Sequence, residues 1–373
     1  SPSLAALSEK NLGLTQHRLV RRATIFAMTA TQATPVPAGT TLKTNTKPLL
    51  RGVVTDGGAV EIQGFASNAQ GPVKHLVIPA EIDGVPVRSI ADSAFVERPI
   101  DRLSFADGAE LDVIGDKAFS GCGLKAIDTL PAEKLGALAF AYNDIEELPS
   151  WGSVTHIGRE CFRANGLREI PRDWGSVFSL GKKAFRDNQI TELPQSWAGI
   201  GSIASACFAG NDIAVLPRDW GVIGAIGPGA FTGNRIEALP DTFGRVAIIG
   251  RFAFRRNRIT KINDFGGVKR ICEHAFAENR IETLPDTFGR VTTIETAAFQ
   301  NNCIAKLPEK WGPVRIIGNR AFLGNRIERV PDDWGRVRYL GWSALRCNYI
   351  ADYPKNGLPL GAGVDTFTPR ARR

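Results

Sequence analysis

The chain has 373 residues, long for one closed globular core, and its length implies two domains or a repeat array. With 43% hydrophobic and 23% charged residues and no stretch near the roughly 18 apolar residues that cross a bilayer, extensive disorder and a membrane span are excluded. The net charge of +8 is spread among interleaved acids rather than gathered on one face, so nucleic acid is not an expected partner.

In chain order, residues 1–52 read as an N-terminal arm. Leu4 to Met28 has weak helical spacing, and Thr29 to Pro48 is a Thr/Pro-rich linker. Arg18 to Arg22 ahead of the apolar Ala23 to Met28 has the order of a signal peptide, but the run is short and far from the start, so a helix or flexible arm is expected there. Residues 53–84, with Val60, Ile62 and Val77 among Gly and Ser, read as a β-rich cap, residues 85–354 as the solenoid described next, and residues 355–373 as a basic tail.

Between them lies a strict repeat. Phe95, Phe119, Phe140, Phe162, Phe185, Phe208, Phe231, Phe254, Phe276, Phe299 and Phe322 recur at spacings of 21 to 24, and Leu345 holds the twelfth place. Ala precedes each of these, except where Cys161 and Cys207 stand. Three residues after the Phe comes Asn, from Asn143 through Asn165, Asn188 and Asn211 to Asn348, and two further on Ile or Leu. Another apolar residue, usually before Pro, follows, as in Leu239-Pro240 and Leu284-Pro285. Next stands an aromatic residue, usually before Gly: Trp151, Trp174, Trp197, Trp220, Phe243, Phe265, Phe288, Trp311 and Trp334. A pair such as Val246 and Ile249 closes the unit.

One copy carries an apolar stripe with no second layer to cover it, and stacked copies bury that stripe in a shared core. The expected class is therefore an α/β leucine-rich-repeat solenoid of about twelve 21–24-residue repeats. Short parallel strands are expected at Ile-x-x-Leu-Pro, as from Arg235 to Leu239, with Ala-Phe in a compact helical turn. Asn, both donor and acceptor, suits a ladder that satisfies turn backbone groups, and Gly after Trp permits a tight turn. Because Phe replaces Trp in phase, the aromatic series reads as a packed spine rather than a sugar-stacking strip. Trp342, out of phase, is the Trp expected at the surface.

The segment Val77-Ile78-Pro79-Ala80-Glu81-Ile82-Asp83-Gly84-Val85-Pro86-Val87-Arg88-Ser89-Ile90-Ala91-Asp92-Ser93-Ala94-Phe95 resembles the opening repeat of the BspA-type leucine-rich repeat family of bacterial and some protist surface proteins. The resemblance covers about residues 53–354. The later repeats depart from the family in placing Asn where Cys is common and in a shorter segment ending in Leu-Pro. The resemblance implies a secreted or surface-attached, non-catalytic binding or adhesion module, with a host or cell-surface protein as partner.

The residues themselves offer no catalytic, cofactor or metal signature. His17, His75, His156 and His274 share no repeat phase and stand at no metal-ligand spacing from Cys or carboxylate. Cys122, Cys161, Cys207, Cys272, Cys303 and Cys347 fall at phases that pair poorly, since even Cys161 and Cys207 stand two coils, roughly 10 Å, apart. Free thiols, mostly buried, are expected, and they suit an intracellular adaptor or a bacterial effector delivered into a host cell as the alternative function, with an enzyme using a site built from loops as a more distant one. The candidate docking row lies beside the buried Ile: Arg235, Glu237, Arg258, Arg280, Glu282, Arg326 and Glu328, expected on the outer face of the strands. The plainer reading of that row is a self-neutralising charge ladder that keeps the sheet soluble. A monomer is the expected state.

Overall fold

The computed structural model describes residues 36–44, 49–66, 71–195, 199–218, 220–351, 358–362 and 364–367. The arm segment 4–28 and Trp197 lie outside them.

The chain winds as a β-solenoid of about twelve turns with a leucine-rich-repeat fold. At its N-terminal end Thr41–Lys43, Leu50–Val54 and Val60–Phe65 pair antiparallel, and Val60–Phe65 then pairs parallel with Val85–Ile90, the first rung of the main ladder. Leu111–Ile114, Ala132–Leu135, His156–Ile157 and Ser179–Leu180 continue it. A second run of two-residue parallel strands takes over from Ser202–Ile203 through Ala225–Ile226, Ile248–Ile249, Arg270–Ile271, Thr293–Ile294 and Ile316–Ile317 to Tyr339–Leu340. A three-stranded sheet of Val73–Ile78, Ile100–Phe105 and Ala126–Ile127 forms a side wall on the first coils.

The strands therefore stand at the closing Val-x-x-Ile, not at Ile-x-x-Leu-Pro. From Asn143 onward only isolated bridges form in the latter segment among the described residues, from Glu192 to Val215, Ala238, Lys261 and Thr283, whereas the first coils, with Arg98 and Cys122 in the Asn place, carry the side-wall strands Ile100–Phe105 and Ala126–Ile127 there. Asn explains the difference. The Ile236 N–H donates to Asn257 Oδ1 of the next coil at 3.1 Å, so a side chain occupies the place of a main-chain acceptor and the ladder cannot run through.

The compact helical turn at Ala-Phe is also absent, and among the described residues the one α-helix is Val364–Phe367. Every non-glycine residue of positive φ except Asp83 stands two before or two after the repeat Phe (or Leu345), such as Lys183 at 59° and Asp187 at 58°. Left-handed residues at both positions forbid an α-helix. They turn alternate N–H groups along the solenoid axis instead. Lys183, Phe185 and Asp187 donate to Ser205, Cys207 and Ala209 of the next coil at 2.9, 3.0 and 2.9 Å. The expected Trp-Gly turn does form, with Gly244 at φ 54° and Gly335 at φ 57°.

Ring stacking fills the core. From Phe95 to Phe322 the eleven phenylalanines stack with centroids 5.1–5.7 Å apart and planes within 12°. Phe65 closes one end of the column edge-on to Phe95 at 5.0 Å. At the other end Phe367 is buried, and the Leu345 N–H donates to Thr366, so this segment repeats the Ala-Phe half of a coil. The second aromatic column is buried too, and the Nε1 groups of Trp151, Trp311 and Trp334 have no hydrogen-bond partner. An indole that gains nothing from its N–H is readily replaced by a phenyl ring, which accounts for Phe243, Phe265 and Phe288 in the same column.

Two substitutions test this packing. Phe254→Ala opens a cavity shared by three coils and should cost about 3–5 kcal/mol in urea unfolding. Trp311→Phe removes an unpaired buried donor and should cost less than about 1.5 kcal/mol. A loss below about 1 kcal/mol for Phe254→Ala would show that the phenylalanines are not the core.

Candidate binding surface

The Asn ladder sets the geometry of the candidate row. Asn257 Nδ2 donates to the carbonyls of Phe231 and Phe254 at 2.8 and 3.1 Å, and Asn279 and Asn302 repeat the arrangement in the next coils. The residue after each Asn is then fixed in register. Arg258 and Arg280 donate their N–H groups to the Ile236 and Ile259 carbonyls at 2.9 and 3.0 Å, so their side chains leave the solenoid one coil apart.

All seven predicted row residues are exposed, beside buried Ile236, Ile259, Ile281 and Ile327. The row flanks the isolated bridges rather than the outer face of a continuous sheet, because the main ladder runs elsewhere on the coil. Its first half is internally paired: Arg235 Nε meets Asp212 at 2.8 Å, and Arg258 Nη1 stands 4.0 Å from Glu237. Among the described residues no ion pair within 4.0 Å engages Arg280, Glu282, Arg326 or Glu328. Cys303 and Ala305 occupy the corresponding positions of the intervening coil and interrupt the charge.

Other polar clusters are cross-coil clamps. Burial raises the Glu278 pKa, but hydrogen bonds from Arg256 and Arg255 outweigh it and hold the carboxyl below its usual range. Glu160 is held down in the same way by Arg163 and Lys183. His75 Nε2 lies 2.6 Å from Ser104 Oγ, which donates to Asp128, itself paired with Arg102. Ser104 stands between the imidazole and the carboxylate, whereas a nucleophilic triad needs the imidazole between them. No group of three His, Cys, Asp or Glu side chains among the described residues could hold a metal ion, and no helix among them is long and apolar enough to cross a membrane.

A second line of charge follows the closing segments of the coils. In the five coils from residue 245 onward, the closing segments 245–249, 267–271, 290–294, 313–317 and 336–340 hold seven Lys or Arg and no acid. The four preceding segments, 153–157, 176–180, 199–203 and 222–226, hold neither. The contrast is present in the sequence by repeat phase and is absent from the charge of successive chain segments. Trp342 borders the strip, 44% exposed, with the Arg320 guanidinium 5.1 Å over its ring.

Residues 88–214 and 223–334 match, in six copies, the family model of the BspA type leucine rich repeat region. The chain belongs to this family. Among solved structures it resembles a leucine-rich repeat protein from Bacteroides ovatus ATCC 8483, with 16% identity and a TM-score of 0.51 over 83% of this chain and 91% of that one. It also resembles the pneumococcal vaccine antigen PcpA, with 19% identity and a TM-score of 0.47 over 78% and 82% of the two chains. Likeness to YopM from Yersinia enterocolitica WA-314 has 16% identity and a TM-score of 0.42 over 78% and 66%. No curated protein sequence matches the chain. Within the BspA-type fold, the first of these likenesses bears on architecture alone.

The six cysteines of this BspA-type chain are free thiols, with Cys122, Cys161 and Cys207 buried and Cys272, Cys303 and Cys347 half-buried. Burial pushes the Cys122 thiol up to about 11 and raises Cys161 and Cys207 further. A raised thiol pKa lowers the thiolate fraction near neutrality, and only the thiolate reacts. At pH 8 a maleimide or disulfide reagent should modify Cys303 and Cys347 first and leave Cys161 and Cys207 intact. All six should titrate after denaturation without reductant. A Cys–Cys linkage found by mass spectrometry would contradict both expectations.

Proposed function

We propose that the chain is a non-catalytic protein-binding module that presents the solenoid, residues 85–354, as an extended docking surface, with Arg258, Arg280, Glu282, Arg326 and Glu328 in the contact and Arg235 and Glu237 at its edge. The observation that carries this reading is the set of exposed, unpaired charges at Arg280, Glu282, Arg326 and Glu328, mounted on a backbone that the Asn ladder holds rigid. Preorganised side chains lose little freedom on binding, and Arg is enriched where binding energy concentrates. Leucine-rich-repeat solenoids of this type are typically scaffolds without catalysis, and among the described residues the polar clusters are cross-coil clamps. The BspA-type family favours a bacterial protein, secreted or surface-attached and acting in adhesion, with a host or cell-surface protein as partner.

A second reading, an intracellular adaptor or an effector delivered into host cells, draws support from the six free thiols, which suit a reducing compartment. Locating the epitope-tagged protein in fractionated bacteria and infected host cells separates the two.

The docking row is tested with Arg258→Ser/Arg280→Ser, a double variant that should unfold at the same urea concentration as the parent. Affinity capture from surface extracts of host cells, quantified by mass spectrometry, should yield at least one protein that the parent retains and the variant loses by about tenfold or more. That factor corresponds to the loss of one buried charge contact. Identical sets of captured proteins would place the docking surface elsewhere.

A further inference from the structure

We infer that the outer face of the main ladder, from the coil of Arg245 to the C-terminal end, is a docking strip for an acidic, extended polypeptide segment of a partner protein. The inference rests on the binding-module reading of function but not on the row that begins at Arg235.

Two columns of cations build the strip. Arg245, Arg290 and Arg336 stand just before the buried Val of their coils, and Lys269, Arg315 and Arg338 just after it. All six are exposed, and none has an ion pair within 4.0 Å among the described residues. Backbone bonds hold the second column in register: Thr292 donates to Lys269, Arg315 to Thr292 and Arg338 to Arg315, each at 2.9 Å. The seventh cation, Arg270, is taken by Glu295 at 2.6 Å. At about 4.8 Å per coil the five coils span roughly 19 Å, the length of about six residues of extended chain.

Unpaired cations in adjacent coils repel one another, and an anionic partner relieves that repulsion. Arginine offers it paired hydrogen bonds that fit a carboxylate. An apolar edge runs alongside. Ile316, Tyr339 and Leu360 follow one another in the ladder register, exposed by 44, 41 and 78%. A partner that engaged only the charges would leave this edge wet, so the fitting ligand interleaves acidic with apolar side chains.

The opposite border decides between a polypeptide and a uniform polyanion. Asp241, Asp264, Asp286 and Asp333 are exposed in the turn that leads into the strip. Asp333 Oδ1 accepts the Gly335 N–H at 2.7 Å, next to Arg336. Asp264 Oδ1 is 3.8 Å from where a Cβ on Gly289 would stand, next to Arg290. Carboxylates that border the cations along the strip repel any ligand that is negative along its whole length, such as single-stranded nucleic acid. A polypeptide can place carboxylates over the arginines and neutral or basic side chains over the acids.

The test uses fluorescence anisotropy with a short labelled peptide alternating glutamate with serine and leucine, its glutamine counterpart, and oligothymidylate of similar length. The full chain should bind the glutamate peptide at low salt, with affinity falling as salt rises, and should bind the glutamine peptide at least tenfold more weakly. Arg315→Ser/Arg338→Ser should weaken glutamate-peptide binding about tenfold or more while leaving the urea midpoint unchanged. Arg290→Ser/Arg336→Ser, in the other column, gives an independent loss of similar size. Arg258→Ser/Arg280→Ser should bind the peptide as the parent does. Equal affinity in both strip variants and the parent, or no detectable peptide binding, overturns the proposal. Oligothymidylate that binds as tightly as the peptide makes the strip a general polyanion site and overturns it as well. If only Arg258→Ser/Arg280→Ser loses the peptide, the binding-module reading stands and the strip falls.

Discussion

Each repeat Asn lies between two coils and bonds at least three of their backbone groups, and each inner Phe carbonyl accepts from the Asn of its own coil and from that of the next. Asn234 shows the pattern: its Nδ2 donates to the carbonyls of Phe208 and Phe231 at 2.8 and 3.1 Å, and its Oδ1 accepts the Ile213 N–H at 3.1 Å. A buried, unpaired amide costs about 1–3 kcal/mol, so losing one such side chain orphans an Ile N–H and takes from two Phe carbonyls one of their two donors. Because one donor target is the neighbouring coil's Phe carbonyl, the ladder also fixes the spacing at which the phenyl rings stack. The left-handed backbone on either side of each Phe, a strained conformation for residues such as Phe252 and Arg256, persists because it aims every second N–H at the next coil. Amide ladder, ring stack and alternating turn hold one another in place, and none of them needs a long strand.

That interlocking explains what was legible in the sequence. The phase of Phe, Asn and the aromatic before Gly fixed the solenoid, its repeat number and its core, and the structure buries Phe95 to Phe322 and Trp151 to Trp334 in two columns, Trp197 lying outside the described residues. Strand position was not legible. Ile236 and Leu239 flanking two polar residues look as strand-like as Val246 and Ile249 do, and the choice depends on where the Asn amide inserts, a contact between repeats that no single repeat displays. The helical turn failed for a related reason: Ala-Phe is compatible with a helix, and intercoil bonds made by Lys183, Phe185 and Asp187 override that local preference.

The surface was legible in part. Arg235, Glu237, Arg258, Arg280, Glu282, Arg326 and Glu328 all emerge exposed, as strand-like alternation about the buried Ile requires. Arg235 pairs with Asp212 and Arg258 with Glu237, and the later members of the row have no such pair among the described residues. The basic strip is hidden in the net charge along the chain, where Asp264 and Asp286 cancel Lys269 and Arg290, whereas a solenoid separates residues by phase and sets the two signs on neighbouring lines. The uncharged closing segments of the four preceding coils make the strip a local property of one end of the molecule.

The dependence of the whole stack on the Asn ladder is tested most directly by amide hydrogen exchange in Asn257→Leu, a nearly isosteric change. The Ile236 N–H, which loses its only acceptor, should exchange at least about tenfold faster than in the parent, equivalent to about 1.4 kcal/mol. The Ile259 N–H, bonded to Asn279 in the next coil, serves as the internal reference and should change less. An Ile236 amide that exchanges at its parental rate would contradict the account, because the ladder would then be a consequence of the packing and not the constraint on which it depends.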